Sequence, residues 1–334
     1  MTIIRGSKQR LLVSRRGFVG GATALAGVAG AGWPAFGQEK FPSKPIEVVT
    51  HAGVGGGTDI TARMMMVEAP GKLGVEFVVA NRTGGSGAAA LAYAASRPRD
   101  GHTILLITQT HILTVIRSKT APVPYSDFVA IARATDDPQI VMVSAKSPYK
   151  TAQEFLAAAK TQSMKIGATQ IGGVDHIATL GFAKQFGLQK PTIVPFRGGG
   201  DIVINLVGGN VDAGMLNFSE AESQIKAGEV RTLITLAPKR VSALPDTPAS
   251  DELGVKAHYS TVRGFIALKG TPEDRLKILE DGLVKAMKGK IFDSYLNTSG
   301  QSPTSVVGRA EWQAQIDQFH ADGREALESL GLLK

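Results

Sequence analysis

Short apolar runs alternate along this chain with stretches of helical periodicity. Strand-like runs fall at 46–50, 76–80, 103–108, 140–143, 165–169, 192–195, 213–216, 231–235 and 262–268. Helical periodicity occupies 60–69, 88–96, 152–160, 176–186, 202–207, 219–227, 272–288 and 311–330. Short apolar strands alternating with amphipathic helices predict an α/β protein whose parallel sheets are covered on both faces. The clearest helix is the last, where Trp312, Ile316, Phe319 and Leu327 fall near helical spacing between charged residues. That stripe reads as packing against the rest of the fold.

The first residues follow a different pattern. "SRRGFVGG" begins at Ser14 and leads into an Ala/Gly-rich apolar stretch, 22–31, followed by "PAFGQEK". A basic start, a short apolar core and small residues at a cleavage point describe an export signal. The core is too short for the ~20 apolar residues of a spanning helix. Arg15 and Arg16 followed by Phe18 give the twin-arginine form, and an ordinary secretory signal is the alternative reading. Both lead out of a bacterial cytoplasm to the periplasm. Cleavage after 35–37 would start the mature chain near Gln38, with residues 1–37 as the signal.

Removing that signal changes the charge. Residues 1–37 hold five basic residues and no acid, so the formal charge falls from +8 to +3. The basic balance belongs mostly to the signal, and with it goes the main support for a nucleic-acid partner. Cysteine is absent, which excludes disulfides, a thiol nucleophile and thiolate metal sites. The 297 residues that remain suffice for two lobes of ordinary size.

Candidate chemistry concentrates at three strand–helix turns rich in glycine and small hydroxyls. They are "GVGGGTD" (53–59), "GATQIGGVDH" (167–176) and "VPFRGGGD" (194–201). Thr58 or Asp59, Asp175 and Asp201 are the expected N-caps. Free N–H groups and the positive end of a helix dipole suit such turns to an anion. A β-carbon at Gly57 would crowd that anion, and glycine there also leaves a positive φ open. Asp59, itself anionic, is expected to cap or order water rather than touch the ligand.

Other motifs fail at these turns. Thr58-Asp59 follow Gly57 where a Walker loop needs Lys-Ser/Thr, and Thr58 stands at the third glycine of a dinucleotide fingerprint. The six histidines show no paired spacing, although His51 and His111 each follow a strand and would border a cleft. Asp136-Asp137 before Pro138 reads as a turn. No catalytic constellation, metal site or cofactor motif emerges.

At these residues the sequence closely resembles the solute-binding receptors of tripartite tricarboxylate transporters, the Bug family. "FPSKPIEVVTHAGVGGGTD", "NRTGGSGAAALAYAASRPRDGHTILL", "VPFRGGGDIVINLVGGNVDAGM" and "IKAGEVRTLITLAPKRVSALPDTPASDELG" match family segments, in family order, over nearly the whole mature chain. The resemblance implies a two-lobed periplasmic clamp that delivers a small carboxylate to inner-membrane permease subunits and performs no chemistry on it. One lobe would span 40–142 plus 263–334, the other 143–262. By the same resemblance the ligand carboxylate would meet Gly55, Gly56, Gly57, Thr58 and Asp59 in one lobe. In the other it would meet Thr169, Gln170, Gly172, Gly173 and His176. Thr108, Gln109 and Thr110 would border the cleft, as would Phe196, Arg197, Gly198 and Asn217. Phe196, Arg197 and Asn217 replace the family's usual Tyr, Lys and Asp, and the loss of a negative charge at Asn217 would favour a second anionic group on the ligand. Two further classes fit the residues: a ligand sensor for a membrane signalling partner, and an α/β enzyme acting on a phosphorylated substrate.

Overall fold

The computed structural model describes residues 40–118, 121–329 and 331–333. The expected signal and its cleavage point lie outside them. Among the described residues no helix is long and apolar enough to cross a membrane.

In chain order the elements begin with β1 (Ile46–Thr50), α1 (Gly57–Met66), α2 (Ala69–Leu73), β2 (Phe77–Asn81), α3 (Ala88–Ala95) and β3 (Thr103–Thr108). Next come α4 (Gln109–Arg117), β4 (Phe128–Pro138), β5 (Ile140–Ser144), α5 (Ala152–Thr161), β6 (Lys165–Thr169) and α6 (Val174–Gln185). Then follow β7 (Thr192–Phe196), α7 (Gly199–Val207), β8 (Ala213–Leu216), α8 (Phe218–Lys226) and β9 (Val230–Thr235). The last are β10 (Ser260–Leu268), α9 (Glu273–Met287), α10 (Lys290–Thr298) and α11 (Arg309–Ser329).

The strands form two five-stranded sheets, ordered β2-β1-β3-β10-β4 and β7-β6-β8-β5-β9. Both lie in one compact unit that begins at Phe41. In the first sheet, alternate residues of each strand feed opposite faces, as the two-residue period requires. Ile46, Val48, Ile104 and Leu106 pack under α1, α9 and α10, while Val49, Leu105 and Ile107 pack under α3, α4 and α11. The second sheet is sandwiched in the same way between α5/α6 and α7/α8. Trp312 and Ile316 of α11 are fully buried, and the Trp312 indole donates to the Phe265 carbonyl at 3.2 Å.

Each sheet is mixed rather than wholly parallel. β10 runs antiparallel to β3 and β4, and β5 antiparallel to β8 and β9. Continuous burial makes a strand apolar but carries no direction. The reversed strands arise because the chain changes lobe: β4 ends at Pro138 and β5 begins at Ile140, with Gln139 alone between them. The return runs from β9 to β10. These crossings are bonded together: Gln139 N–H donates to the Tyr259 carbonyl at 2.9 Å, and Leu236 N–H to the Gln139 carbonyl at 2.8 Å. β5 lies wholly in the second sheet, so the chain crosses at Gln139, short of the expected boundary at 142/143.

The pattern of apolar and helical runs has no element at α2, α4, β4 or α10. Asp136 and Asp137 are not a turn but the end of β4, where Asp137 pairs with Thr261 across the sheet. Thr108 ends β3 and caps α4, its hydroxyl accepting from Thr110 N–H at 3.2 Å.

Candidate functional site

Helix starts from both lobes converge on one cavity. α1 contributes Gly56, Gly57 and Thr58, and α4 contributes Thr108 and Thr110. From the second lobe come Thr169, Gln170 and Asp175 at the head of α6, Gly198 before α7, and Asn217 before α8. Each start carries backbone N–H groups without intrahelical partners and the positive end of a helix dipole. The lobes touch around the cavity: Val174 N–H donates to Thr110 Oγ1 at 3.1 Å, and Gly57 N–H to Glu220 Oε1 at 2.8 Å. The enclosed space is about 30 Å³, the scale of one or two water molecules.

The expected acidic and threonine caps are not the caps. Gly56, Gly173 and Gly198 hold those positions in extended conformations, and the acids sit two or three residues past the cap. A glycine cap has no side chain to bond its helix N–H groups, and groups from the opposite lobe meet them instead, Glu220 at Gly57 and Thr110 at Val174. Of the three leading glycines of α1, Gly55 has the positive φ, +79°, rather than Gly57. Gly57 is small for another reason: a β-carbon there would lie 2.2 Å from Arg263 Nη2.

Several of the candidate residues brace the loops, and Asp59 does so in the structural role expected of it. Asp59 accepts from Gly55 N–H at 3.0 Å, twice from Arg63, and from Asn81. Burial pushes its carboxyl up, but those bonds hold it below its ordinary value. Gln109 spans to β10, donating to the Ser260 carbonyl and accepting from Val262 N–H. His176 Nδ1 accepts from Gly172 N–H at 2.8 Å, closing the loop before α6, and Gly173 N–H bonds the Gln170 carbonyl. Phe196 packs into the second lobe's core against Gly167. Arg197 borders the cavity, yet its side chain is 78% exposed and bonds Asp201. The Asn217 amide is fully engaged: its Nδ2 donates to the carbonyls of Asp137 and Pro138, and its Oδ1 accepts from Arg263.

The charged floor of the cavity went unread in the sequence. Arg263, 2% exposed, rises from β10 between Asp137 (Nη1–Oδ2, 2.8 Å) and Asn217 (Nη2–Oδ1, 2.6 Å). Burial disfavours its charge, but Asp137, Tyr295 and Glu220 outweigh that and raise its pKa. Asp175 accepts from Thr169 N–H and hydroxyl and from the Gln139 amide. His51 and His111 stack edge to face with centroids 4.3 Å apart. Burial holds both below the ordinary imidazole value, His111 at about 4, so neither is charged near neutrality. A signal for Arg263 was present: an arginine inside an otherwise apolar strand must find a buried acid. Among the described residues, no cluster of three His, Asp or Glu is placed to hold a metal.

The two buried acids give the stability a pH slope. Burial, then Glu220, pushes Asp175 up to about 6, and burial pushes Asp137 up to about 7 against the pull of Arg263. Both folded values lie above the unfolded value near ~4, so the folded chain holds more protons across that window. The resulting stabilisation is complete at low pH and is lost as pH rises through about 6 for Asp175. The melting temperature should therefore fall from pH ~4 to ~6, and Asp175→Asn should flatten that fall. Superimposable melting profiles for the two proteins would refute the assignment.

Comparison with known proteins follows the same architecture. Residues 61–326 match the profile of the tripartite tricarboxylate transporter family receptor. A UPF0065 protein from the tcbD-tcbE intergenic region of Pseudomonas sp. is 30% identical over 304 residues, covering 86% of this chain and 90% of that protein. A solved periplasmic transporter superposes with TM-score 0.82 at 28% identity, over 88% of this chain and 99% of the other. R. palustris Rpa4515 with adipate superposes at 0.80 and 24% identity, over 87% of this chain and 98% of that one.

Proposed function

The chain belongs to the tripartite tricarboxylate transporter receptor family, and from that premise we propose that it captures a small organic carboxylate in the periplasm for inner-membrane permease subunits of such a transporter. Proteins of this family and fold are periplasmic binding proteins, not enzymes. One observation carries the reading: helix N-termini of both lobes open onto a single cavity through glycines and hydroxyls. That arrangement offers several neutral donors and helix dipoles to an anion without requiring a free basic side chain. The neighbour solved with adipate supports a dicarboxylate.

Binding would require the lobes to separate and re-close, since the cavity of about 30 Å³ cannot hold such an acid. The crossings at Gln139 and between β9 and β10 would bend. A thermal-shift screen with mono-, di-, tri- and aromatic carboxylates tests the reading. A ligand that binds only the folded state adds about 2.7 kcal/mol at a hundredfold excess over Kd. A screen in which no carboxylate raises the melting temperature would sink it.

Export is proposed to use the twin-arginine route through Arg15 and Arg16. Replacing both with lysine should leave unprocessed precursor in the cytoplasm, read by fractionation and immunoblot. Normal periplasmic yield from that variant would reject the route.

A further inference from the structure

The best anion position in the cavity is already taken, by a side chain of the protein. Glu220 lies in the first turn of α8, in the second lobe. Its Oε2 accepts from Asn217 N–H at 3.0 Å within its own helix start. Its Oε1 reaches across the cleft to Gly57 N–H, the first residue of α1, at 2.8 Å and 163 positions away in sequence. Arg263 stands beside it, close enough for Glu220 to contribute to the raised pKa of that guanidinium.

Two glycines are shaped around this carboxylate. A β-carbon at Gly199, the first residue of α7, would lie 2.2 Å from Glu220 Cδ. One at Gly57 would lie 3.2 Å from Oε1. The carboxylate thus rests on bare backbone at the heads of α1 and α7, with a third helix start behind it. Nothing in the sequence of α8 advertises this. A glutamate three residues after an asparagine N-cap reads as ordinary helix capping, and its Oε2 does serve that role. The second oxygen, bonded into the other lobe, has no part in capping.

We propose that Glu220 is a tethered carboxylate that fills the ligand's anion position in the empty clamp, holding the lobes together until an incoming carboxylate displaces it. This rests on reading the cavity as the ligand site. It follows that the empty protein is substantially closed, and that ligand affinity is reduced by the fraction of time Glu220 occupies the site. A flexible side chain can leave by rotation about its own bonds as the lobes part, so the block is reversible. The device would also discriminate among ligands: an acid must offer a better-placed carboxylate than the one already present.

The absence of cysteine allows a clean distance measurement. Val78→Cys in the first lobe and Ile204→Cys in the second, both exposed, would carry spin labels. Without added acid, the otherwise wild-type protein should show mainly the short interlobe distance, and Glu220→Ala mainly a longer one. Propionate, a small free carboxylate, should restore the short distance in Glu220→Ala and leave the wild type unchanged. In calorimetry, Glu220→Ala should bind adipate about tenfold or more tightly than wild type, the factor expected if a tenth of the sites are free. Should Glu220→Ala not fold, Glu220→Gln keeps an oxygen for Asn217 N–H while losing the charge, and should shift toward the longer distance. An empty wild type that is open, a Glu220 variant as closed as wild type, or a variant that opens but ignores propionate would each overturn the proposal. The distances of the wild type and of Glu220→Ala without added acid stand apart from the carboxylate screen, whose failure would instead sink the functional reading.

Discussion

Arg263→Met should lower the stability of the protein by about 3–5 kcal/mol, the cost of breaking a buried ion pair from one side. Arg263 and Asp137 are 2% and 1% exposed, so neither has water to fall back on. The guanidinium holds the Asp137 carboxylate at 2.8 Å and the Asn217 amide oxygen at 2.6 Å. Methionine fills much of the arginine's volume but leaves both oxygens facing apolar groups. Protonation relieves part of that cost, because burial already pushes Asp137 up to about 7. The double variant Arg263→Met/Asp137→Asn should therefore lose less than Arg263→Met alone, which a double-mutant cycle from denaturant unfolding measures. A single-variant loss under about 1 kcal/mol would mean the pair is not what holds the cavity floor.

Asn217 ties this prediction to the clamp. Its Nδ2 bonds the carbonyls of Asp137 and Pro138, next to the Gln139 crossing, and its Oδ1 bonds Arg263. Loss of Arg263 should then also disturb the approach of α8 to the first lobe. The aspartate expected at position 217 from the family pattern would sit directly against the guanidinium. With asparagine, Arg263 keeps its ion pair with Asp137, with Glu220 beside it. The change at 217 therefore acts on the floor of the site, and the inference of a second anionic group on the ligand loses its direct route.

The parts of the fold that were legible follow from burial alone. β1, β3 and β10 are buried throughout or nearly so, and their apolar runs say as much. The stripe of Trp312, Ile316 and Leu327 in α11 is buried to 0% exposure where its spacing places it. The turns before α1, α6 and α7 stood out because glycine is unusual at such density. What escaped was set by distant partners. Asp136-Asp137-Pro138 carries strong turn chemistry, yet pairing with β10 and the demand of Arg263 for a buried acid keep it extended. Glu220 looks like a solvated helix residue because its decisive partner, Gly57, is 163 positions away. His176, Gln109 and Asp59 have the chemistry of ligands, but each is consumed by its own loop or the adjoining strand.

Gly57→Val should cost at least a hundredfold in affinity for any carboxylate the wild type binds, and should also lower stability. The contact that forbids a side chain there lies inside the first lobe. A β-carbon would stand 2.2 Å from Arg263 Nη2 and 2.9 Å from its Cζ. A free arginine would swing aside, but this one is fixed by Asp137 and Asn217. Either α1 shifts away from β10 or the buried pair breaks. Overpacking of this kind costs about 1–3 kcal/mol of stability. A shift of α1 also withdraws the N–H groups of its first turn from the anion, at roughly 1.5–3 kcal/mol for each hydrogen bond to a charged group. Two such bonds account for the hundredfold loss and more. Gly55→Ala is the control: its positive φ costs about 1 kcal/mol, but no atom lies within 4 Å of the new methyl, so binding should survive. Thr58→Val tests the neighbouring hydroxyl, which lines the cavity. It should weaken binding about ten- to a hundredfold with little change in the melting temperature of the empty protein. Calorimetry and melting curves on the three variants separate these outcomes. If Gly57→Val binds like wild type, the head of α1 is a tight turn and the anion sits elsewhere.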